Sequence, residues 1–301
     1  MTLSNSSTPS HGSVASEINL RIHRRLKRIH RINSEKRGGR IGISQIGSCG
    51  RQLRYQMEHT KRLAWSDRQT LILEMGTLIH KLFNKLIRNP RLGNPSKNIT
   101  SHFSVGDIDR EFQIQLGTRH TILGHVDAII HRLCPPCDAH KDSPEKTILE
   151  VKSCGDYSWS TSVSGRISKQ YLAQINGYMY ASGIHNGLFI FVHKSTGKIH
   201  LKEVTYDPEL ITGLIKKLEA LYRIQSSEYT KRDFQPNDAG ILPFECNYCP
   251  YTAQCWKDHK LERISEDPPK YKVQLEKVKR PKIKPGPLFK KQENYYVDFV
   301  D

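Results

Sequence analysis

The segment most informative about the fold is residues 147–153, with the sequence TILEVKS. Its apolar and β-branched residues predict a buried strand, yet the run contains two charged residues, Glu150 and Lys152. Because side chains two positions apart in a strand point to the same face, these two charges are expected to lie side by side. The preceding strand-like run, residues 121–133, carries a carboxylate at Asp127 in the sequence GHVDAII. A carboxylate in such a run is costly to bury unless it binds a cation or another partner.

Two carboxylates and a lysine at the ends of neighbouring strands predict a site for a hard divalent cation beside a cationic side chain. Mg²⁺ or Mn²⁺ in such a site lowers the pKa of a bound water and binds a phosphate, while an ammonium group orients the nucleophile. These are the requirements of phosphodiester hydrolysis. The alternative is a salt-bridged pair of surface strands, because E-x-K is a common pattern in a chain with 26% charged residues.

Three polar residues on predicted helices could join this site. His80 ends the sequence GTLIH on a helix predicted over Thr70–Arg88, where its imidazole could complete a metal shell or simply pack. Gln174 and Tyr178, in QINGY, are four residues apart and therefore share one helical face. This pair could bind a phosphate, brace the lysine or form the edge of the core.

The order of the predicted elements indicates one α/β domain built on a mixed central β-sheet flanked by helices. After the helix at 70–88 come strands at 111–116, 121–133 and 147–152, a helix at 168–181, a hairpin of 188–193 and 199–205 that turns at Thr196-Gly197, and a helix that begins at Pro208. We predict three regions: a basic flank over 1–40, a folded domain over 41–262 and a basic, Pro-rich tail over 263–301.

In order along the chain, Gly76-xxx-His80, Gly124-His-Val-Asp127, Glu150-Val-Lys152 and Gln174-xxx-Tyr178 resemble the motifs of the RecB-type branch of the PD-(D/E)XK nucleases. The resemblance covers about residues 40–257. It implies a restriction-endonuclease-like core with these roles: Asp127, Glu150, His80 and the Val151 carbonyl hold the catalytic metal, Lys152 is the catalytic lysine, and Gln174 and Tyr178 line the DNA site. One departure is Val126, which precedes Asp127 where the family pattern has proline.

Seven cysteines in a chain without a recognisable signal peptide favour metal ligands over disulfides. Cys246, Cys249 and Cys255 form the pattern C-x₂-C-x₅-C, and Cys49, about two hundred positions earlier, is the natural fourth ligand. The spacing of these cysteines and the softness of thiolate sulfur allow either zinc or an iron–sulfur cluster, and free thiols without a metal are the alternative. The arrangement resembles the cluster-bearing subset of these nucleases, which includes the CRISPR-adaptation exonucleases. That resemblance implies a 4Fe–4S cluster that joins the two ends of the domain.

A second C-x₂-C pair, Cys134 and Cys137, lies in a polar loop with His140 nearby. The pair fits a zinc knuckle without a clear fourth ligand, and two unligated thiols fit equally well. Cys154, just after the strand that carries Lys152, is predicted to be a structural thiol.

The chain of 301 residues carries a formal charge of +17, most of it in two flanks. Residues 17–40 contain nine Lys or Arg and two acids, and residues 268–291 contain nine Lys or Arg and one acid. Such flanks suit the phosphate backbone of nucleic acids, because each neutralised phosphate releases a counterion, and solvating tails are the alternative. No apolar run approaches the roughly 20 residues of a membrane span, and no apolar signal core is seen. A cytoplasmic location in a bacterial or phage-infected cell is therefore expected, with a mitochondrial transit peptide as the alternative.

These features lead to a metal-dependent DNA nuclease as the main hypothesis. A single-stranded DNA exonuclease acting in recombination, repair or replication is the first choice, because compact members of the resembled family mostly act on single strands. A structure-specific endonuclease for flaps or branches and a non-catalytic nucleic-acid-binding subunit are the alternatives. Arg51, Arg54 and Lys169 are candidate contacts to the DNA backbone, and recombination or replication proteins are candidate partners. The sequence does not define the oligomeric state.

Overall fold

The fold is given by a computed structural model that describes residues 18, 20–29, 39–63, 66–88, 103–132, 145–224, 232–266 and 269–274. The helices are α1 (Gly50–Met57), α2 (Asp67–Arg88), α3 (Asp156–Val163), α4 (Lys169–Ser182), α5 (Pro208–Arg223), α6 (Phe244–Asn247) and α7 (Thr252–Cys255). The strands are β1 (Phe103–Ile108), β2 (Glu111–Leu116), β3 (His120–His125), β4 (Ala128–Arg132), β5 (Glu145–Cys154), β6 (Asn186–His193), β7 (Ile199–Thr205), β8 (Leu261–Glu266) and β9 (Pro269–Val273). Within these ranges no helix is both long and apolar enough to cross a bilayer. The second cysteine pair, Cys134 and Cys137, lies outside the described residues.

A five-stranded mixed sheet forms the centre of the domain, in the order β1-β4-β5-β6-β7. Neighbouring strands are antiparallel except β5 and β6, which run parallel. A parallel pair needs a crossover connection, and α3 and α4 provide it. Two small antiparallel sheets, β2-β3 and β8-β9, complete the described part. The predicted α/β fold with a mixed sheet flanked by helices is confirmed.

Both faces of β5 are covered, which explains why apolar residues stand at the consecutive positions Ile148 and Leu149. On one face Ile148 belongs to the main core, together with residues of β6, α4 and α5. On the other face Leu149 and Val151 pack in a second cluster that includes the inner side of α2. Because the side chains alternate, Glu150 and Lys152 project on the same face as Ile148, towards α4.

The structure corrects the single strand expected over residues 121–133. Two strands lie there: β3 pairs with β2 in the separate hairpin, and β4 pairs with β1 and β5 in the central sheet. The break falls at Val126 and Asp127. At this point the Asp127 carboxylate accepts a hydrogen bond from the Val151 N–H, 2.7 Å away. Because Asp127 lies outside both strand ladders, its side chain can turn towards the backbone of β5.

Helix α4 begins and ends at sequence signals, and one glycine sets how closely it packs. Ser168 is its N-cap and accepts a hydrogen bond from the Tyr171 N–H, while Gly183 ends it with a φ of 69°. Gly177 faces the short 3₁₀ helix Ile43–Gln45. A Cβ added at Gly177 would lie 2.6 Å from Ile46 Cδ1 and 2.8 Å from Ile43 Cγ2, so only glycine allows this approach.

Gly177→Ala is therefore expected to lower the free energy of unfolding by about 1–3 kcal/mol, because overpacking outweighs the better helix propensity of alanine. The matched control is Gly213→Ala in α5, where an added Cβ meets no atom within 4 Å. That variant should be more stable than the parent chain by about 0.5–1 kcal/mol. Denaturant unfolding measures both variants, and shifts of the same sign and size would contradict the packing described here.

The folded part of the chain extends beyond residue 262, the predicted end of the domain. β8 and β9 form an antiparallel hairpin, and the Leu242 N–H donates to the Tyr271 carbonyl at 2.9 Å. Val273 is buried in a small core with Leu242 and Trp256. Pro269, assigned by its sequence to an extended tail, is the first residue of β9, a strand position that tolerates proline. The predicted boundary is thus corrected, because the hairpin through Val273 belongs to the folded domain.

Candidate active site

Asp127 joins the centre of the sheet to helix α2. Its Oδ2 accepts the Val151 N–H at 2.7 Å, and its Oδ1 lies 2.9 Å from Nδ1 of His80. His80 reaches this point because α2 crosses close to β5. Gly76 permits the crossing, since a Cβ there would lie 3.1 Å from Ser153 Oγ. The sequence motif Gly76-xxx-His80 thus combines a close approach with an imidazole one turn later.

Glu150 and Lys152 form a buried ion pair on the α4 face of β5. The Lys152 Nζ donates to Glu150 Oε1 at 2.7 Å and to Gln174 Oε1 at 2.8 Å, and the Gln174 Nε2 donates to Glu150 Oε1 at 2.6 Å. Glu150 is only 3% exposed, and burial raises the pKa of its carboxyl to about 7 although Lys152 opposes the shift. Its second oxygen, Oε2, is buried and has no hydrogen-bond partner among the described residues.

The donor set of this site fits a divalent cation. Asp127, Glu150 and His80 offer carboxylate and imidazole donors, and the orphaned Glu150 Oε2 lacks the partner that a buried carboxylate needs. As the side chains stand, no group of three or more His, Cys, Asp or Glu among the described residues could hold a metal ion. Asp127 Oδ1 is turned to His80 and Glu150 Oε1 to Lys152, so a cation would have to compete with these contacts. The Val151 carbonyl stays a predicted ligand.

Gln174 and Tyr178 lie in the core beside this pair. Gln174 is 8% exposed and Tyr178 is 2% exposed, and the amide of Gln174 is engaged by Glu150 and Lys152. Of the functions considered for Gln174, these contacts favour bracing the lysine. Burial raises the pKa of the Tyr178 hydroxyl well above its usual value, so this group stays protonated. Lining of the DNA site by the two residues stays a prediction.

One residue of the site was not predicted from the sequence. The ring centroid of Tyr171 lies 4.8 Å from Lys152 Nζ, a distance typical of a cation–π contact. Tyr171 is three residues before Gln174 on α4, so the two side chains share a helical face. That spacing is the sequence signal that could have revealed it.

The three predicted DNA-backbone contacts have different surroundings. Lys169 is exposed at the start of α4. The Arg54 guanidinium, in contrast, binds Glu58 and the Leu221 carbonyl, and its side chain is 16% exposed. Arg51 lines a pocket among the cysteines. DNA contact by all three stays a prediction, but the contacts of Arg51 and Arg54 favour roles within the fold.

Cys49, Cys246, Cys249 and Cys255 line one pocket, although Cys49 is far from the others in sequence. None of them is in a disulfide. The pocket wall also contains Trp256, which is buried. Burial raises the pKa of the Cys246 thiol to about 12 and that of the Cys249 thiol to about 11. Without a cation in the pocket these two thiols therefore stay protonated near neutral pH.

The pocket is assembled by contacts between the two ends of the domain. Cys49 immediately precedes α1, and the Gly50 N–H donates to Asp233 Oδ2 at 2.9 Å. The Leu63 N–H donates to the Pro250 carbonyl at 2.8 Å. Four soft thiols match zinc or an iron–sulfur cluster in donor chemistry, but as the described side chains stand no three of them are placed to hold a metal ion, so the metal group stays a prediction.

Comparison with known proteins gives weak similarities only. No protein-family profile and no curated protein matches the chain. Among solved structures, SSO0001 is similar with 16% identity and a TM-score of 0.49, over 81% of this chain and 98% of that one. The alkaline exonuclease LHK-Exo from Laribacter hongkongensis has 13% identity and a TM-score of 0.40, over 62% of this chain and 88% of its own. A phage-related exonuclease from Haemophilus somnus 129PT has 11% identity and a TM-score of 0.32, over 60% of this chain and 91% of its own. Similarities at this level assign no family.

Proposed function

We propose that this chain is a metal-dependent DNA nuclease that degrades single-stranded DNA from an end. The observation that carries the proposal is that Asp127, at the break between β3 and β4, binds the backbone of β5 beside Glu150 and Lys152. A buried carboxylate oxygen of Glu150 has no partner among the described residues. Lys152 and Gln174 satisfy Oε1 of this carboxylate, but a buried oxygen without a partner, such as Oε2, is costly unless a cation or donor binds it. The ordered motifs that resemble the PD-(D/E)XK nucleases support the same conclusion.

In this proposal the chain's own residues divide the work. Asp127 and Glu150, with His80 and the Val151 carbonyl, would hold Mg²⁺ or Mn²⁺, which when bound lowers the pKa of a water and neutralises phosphate charge. Lys152 presents an ammonium group whose position is fixed by Glu150, Gln174 and the ring of Tyr171. A fixed cation next to the scissile phosphate stabilises the charge that develops during hydrolysis. The basic flanks would hold the DNA backbone without reading sequence.

The proposal includes a structural metal group in the four-cysteine pocket. A 4Fe–4S cluster is the first choice and zinc the alternative, because thiolate softness suits both. Binding there would join residues about two hundred positions apart and so stabilise the fold. Such thiolate chemistry suits a reducing compartment such as the bacterial cytoplasm. Recombination or replication proteins are the proposed partners.

A comparison of linear and circular substrates tests the proposed activity. The purified chain is incubated with Mg²⁺ or Mn²⁺ and either end-labelled linear or circular single-stranded DNA. Loss of linear but not circular DNA is the expected result. Cleavage of circles would instead indicate an endonuclease, and binding without hydrolysis under either metal would indicate a non-catalytic binding subunit.

Gln174→Ala is expected to lower kcat by about 10–100-fold, because Lys152 and Glu150 lose the amide that holds both of them. The matched control is Gln170→Ala on the same helix, whose side chain is exposed and makes only a 3.4 Å contact to Ser48 Oγ. Steady-state cleavage at saturating DNA gives kcat directly. Equal rates for Gln174→Ala and the control would exclude a positioning role for Gln174.

A further inference from the structure

Arg51 places a buried cationic donor in the four-cysteine pocket. Its side chain lines the pocket together with the four thiols, and its Nη1 is buried without a hydrogen-bond partner among the described residues. The guanidinium carbon lies 5.9 Å from the ring centroid of Tyr55, which also lines the pocket. A buried guanidinium nitrogen without an acceptor is destabilising, so this arrangement calls for a negative or accepting group.

Two other arginines near this segment, Arg232 and Arg54, are bound by acceptors of the protein. Arg232 stacks on Trp256, donates twice to the Cys255 carbonyl and pairs with Asp258. Arg54, one turn after Arg51 on α1, binds Glu58 and the Leu221 carbonyl. The structure thus provides acceptors for both of these guanidinium groups but none for Arg51 Nη1.

A metal group held by four thiolates supplies the missing acceptor. Four thiolates exceed the charge of a zinc ion, or of an oxidised 4Fe–4S core, by two negative charges, and thiolate sulfur accepts hydrogen bonds. We propose that Arg51 neutralises part of this charge and donates a hydrogen bond from Nη1 to a thiolate ligand, and so keeps the metal bound. This inference rests on the structural metal group of the proposed function. It replaces DNA contact as the role of Arg51.

The test measures metal retention, which does not depend on DNA cleavage. Full-length wild type, Arg51→Met, Arg51→Lys and Arg54→Met are purified without air, and iron, zinc and sulfide are counted per chain. Loss of iron or zinc to excess EDTA is then followed over time. Arg51→Met should lose metal about tenfold faster than wild type or more, as removal of outer-shell partners does in other metal sites. Arg51→Lys keeps the charge but not the fork of donors, and should fall between the two.

Arg54→Met is the matched control, because it removes the same side chain from the same helix outside the pocket. It should release metal at the wild-type rate. Equal release by wild type, Arg51→Met and Arg51→Lys would overturn the inference, as would equally fast release by Arg51→Met and Arg54→Met, or a wild type without iron or zinc. If Arg51→Met does not fold, Arg51→Lys decides. Nuclease activity of the wild type is assayed separately. If the wild type hydrolyses DNA but the Arg51 variants release metal at the wild-type rate, the role of Arg51 is overturned and the proposed nuclease function is not.

Discussion

Lys152→Met is expected to slow DNA hydrolysis by about a thousandfold, the effect of removing one well-placed charged group from a transition state. The substitution keeps the length and apolar stem of the side chain but removes the ammonium that Glu150 and Gln174 hold. DNA binding should stay close to that of wild type, because the basic flanks supply the contacts to the backbone. Single-turnover cleavage and binding in Ca²⁺ measure the two effects separately.

The control for this substitution lies on the same strand. Lys146→Met removes an exposed lysine near the start of β5 and should cleave at the wild-type rate. Asp127→Ala should give a loss of activity similar to that of Lys152→Met, because Asp127 is the other side of the proposed cation site. Melting curves for all three variants exclude unfolding as the cause. Cleavage at the wild-type rate by Lys152→Met or Asp127→Ala would show that the site is assigned incorrectly.

Much of the fold could be predicted because its signals are local. The alternation in β5 placed Glu150 and Lys152 on one face, and the structure has them 2.7 Å apart. The hairpin β6-β7 and its turn at Thr196-Gly197 followed from turn chemistry, and Gly197 has a φ of 69°. Helix α4 begins after Ser168 because a serine N-cap is readable without tertiary context.

The parts of the fold that the sequence did not predict depend on contacts between distant segments. At the break between β3 and β4 the Asp127 carboxylate accepts a hydrogen bond from the Val151 N–H, a contact that no sequence period reveals. Helix α3 has the polar sequence DYSWSTSV, without an apolar stripe that would predict it. The β8-β9 hairpin is held by a small core around Trp256, and its two prolines suggested an extended tail instead.

The candidate site divides in the same way. Motif order indicated Asp127, Glu150, Lys152 and His80, whereas the partners that decide how each side chain is used come from tertiary packing. Gln174 bridges the ion pair, and Arg54 is engaged inside the fold. Charge and position along a helix could not separate an arginine that contacts DNA from one that binds a backbone carbonyl.

Cys249→Ser is expected to have the largest effect on stability, because the segment around the pocket has little core of its own. Its buried cluster contains only Leu242, Trp256 and Val273 among the described residues. A metal group bound by four thiolates would supply the missing stabilisation, and serine is a poor ligand for it. Loss of the group should cost about 3 kcal/mol or more, which corresponds to a fall in melting temperature of about 6–12 °C.

Metal analysis and visible absorbance distinguish this effect from simple loss of packing. Cys154→Ser is the matched control: Cys154 is a buried free thiol on β5, outside the pocket. It can lower the melting temperature by burying a hydroxyl, but it should keep the full metal content. Cys249→Ser should lose both the metal and any brown colour. If Cys249→Ser kept both its metal and its melting temperature, a metal in the pocket would not stabilise the fold. If the wild type prepared without air were colourless and contained zinc, the bound group would be zinc and not an iron–sulfur cluster. In either metal form the expected loss of stability is the same, because a group bound by Cys49 and by the three cysteines of residues 246–255 would join segments about two hundred positions apart.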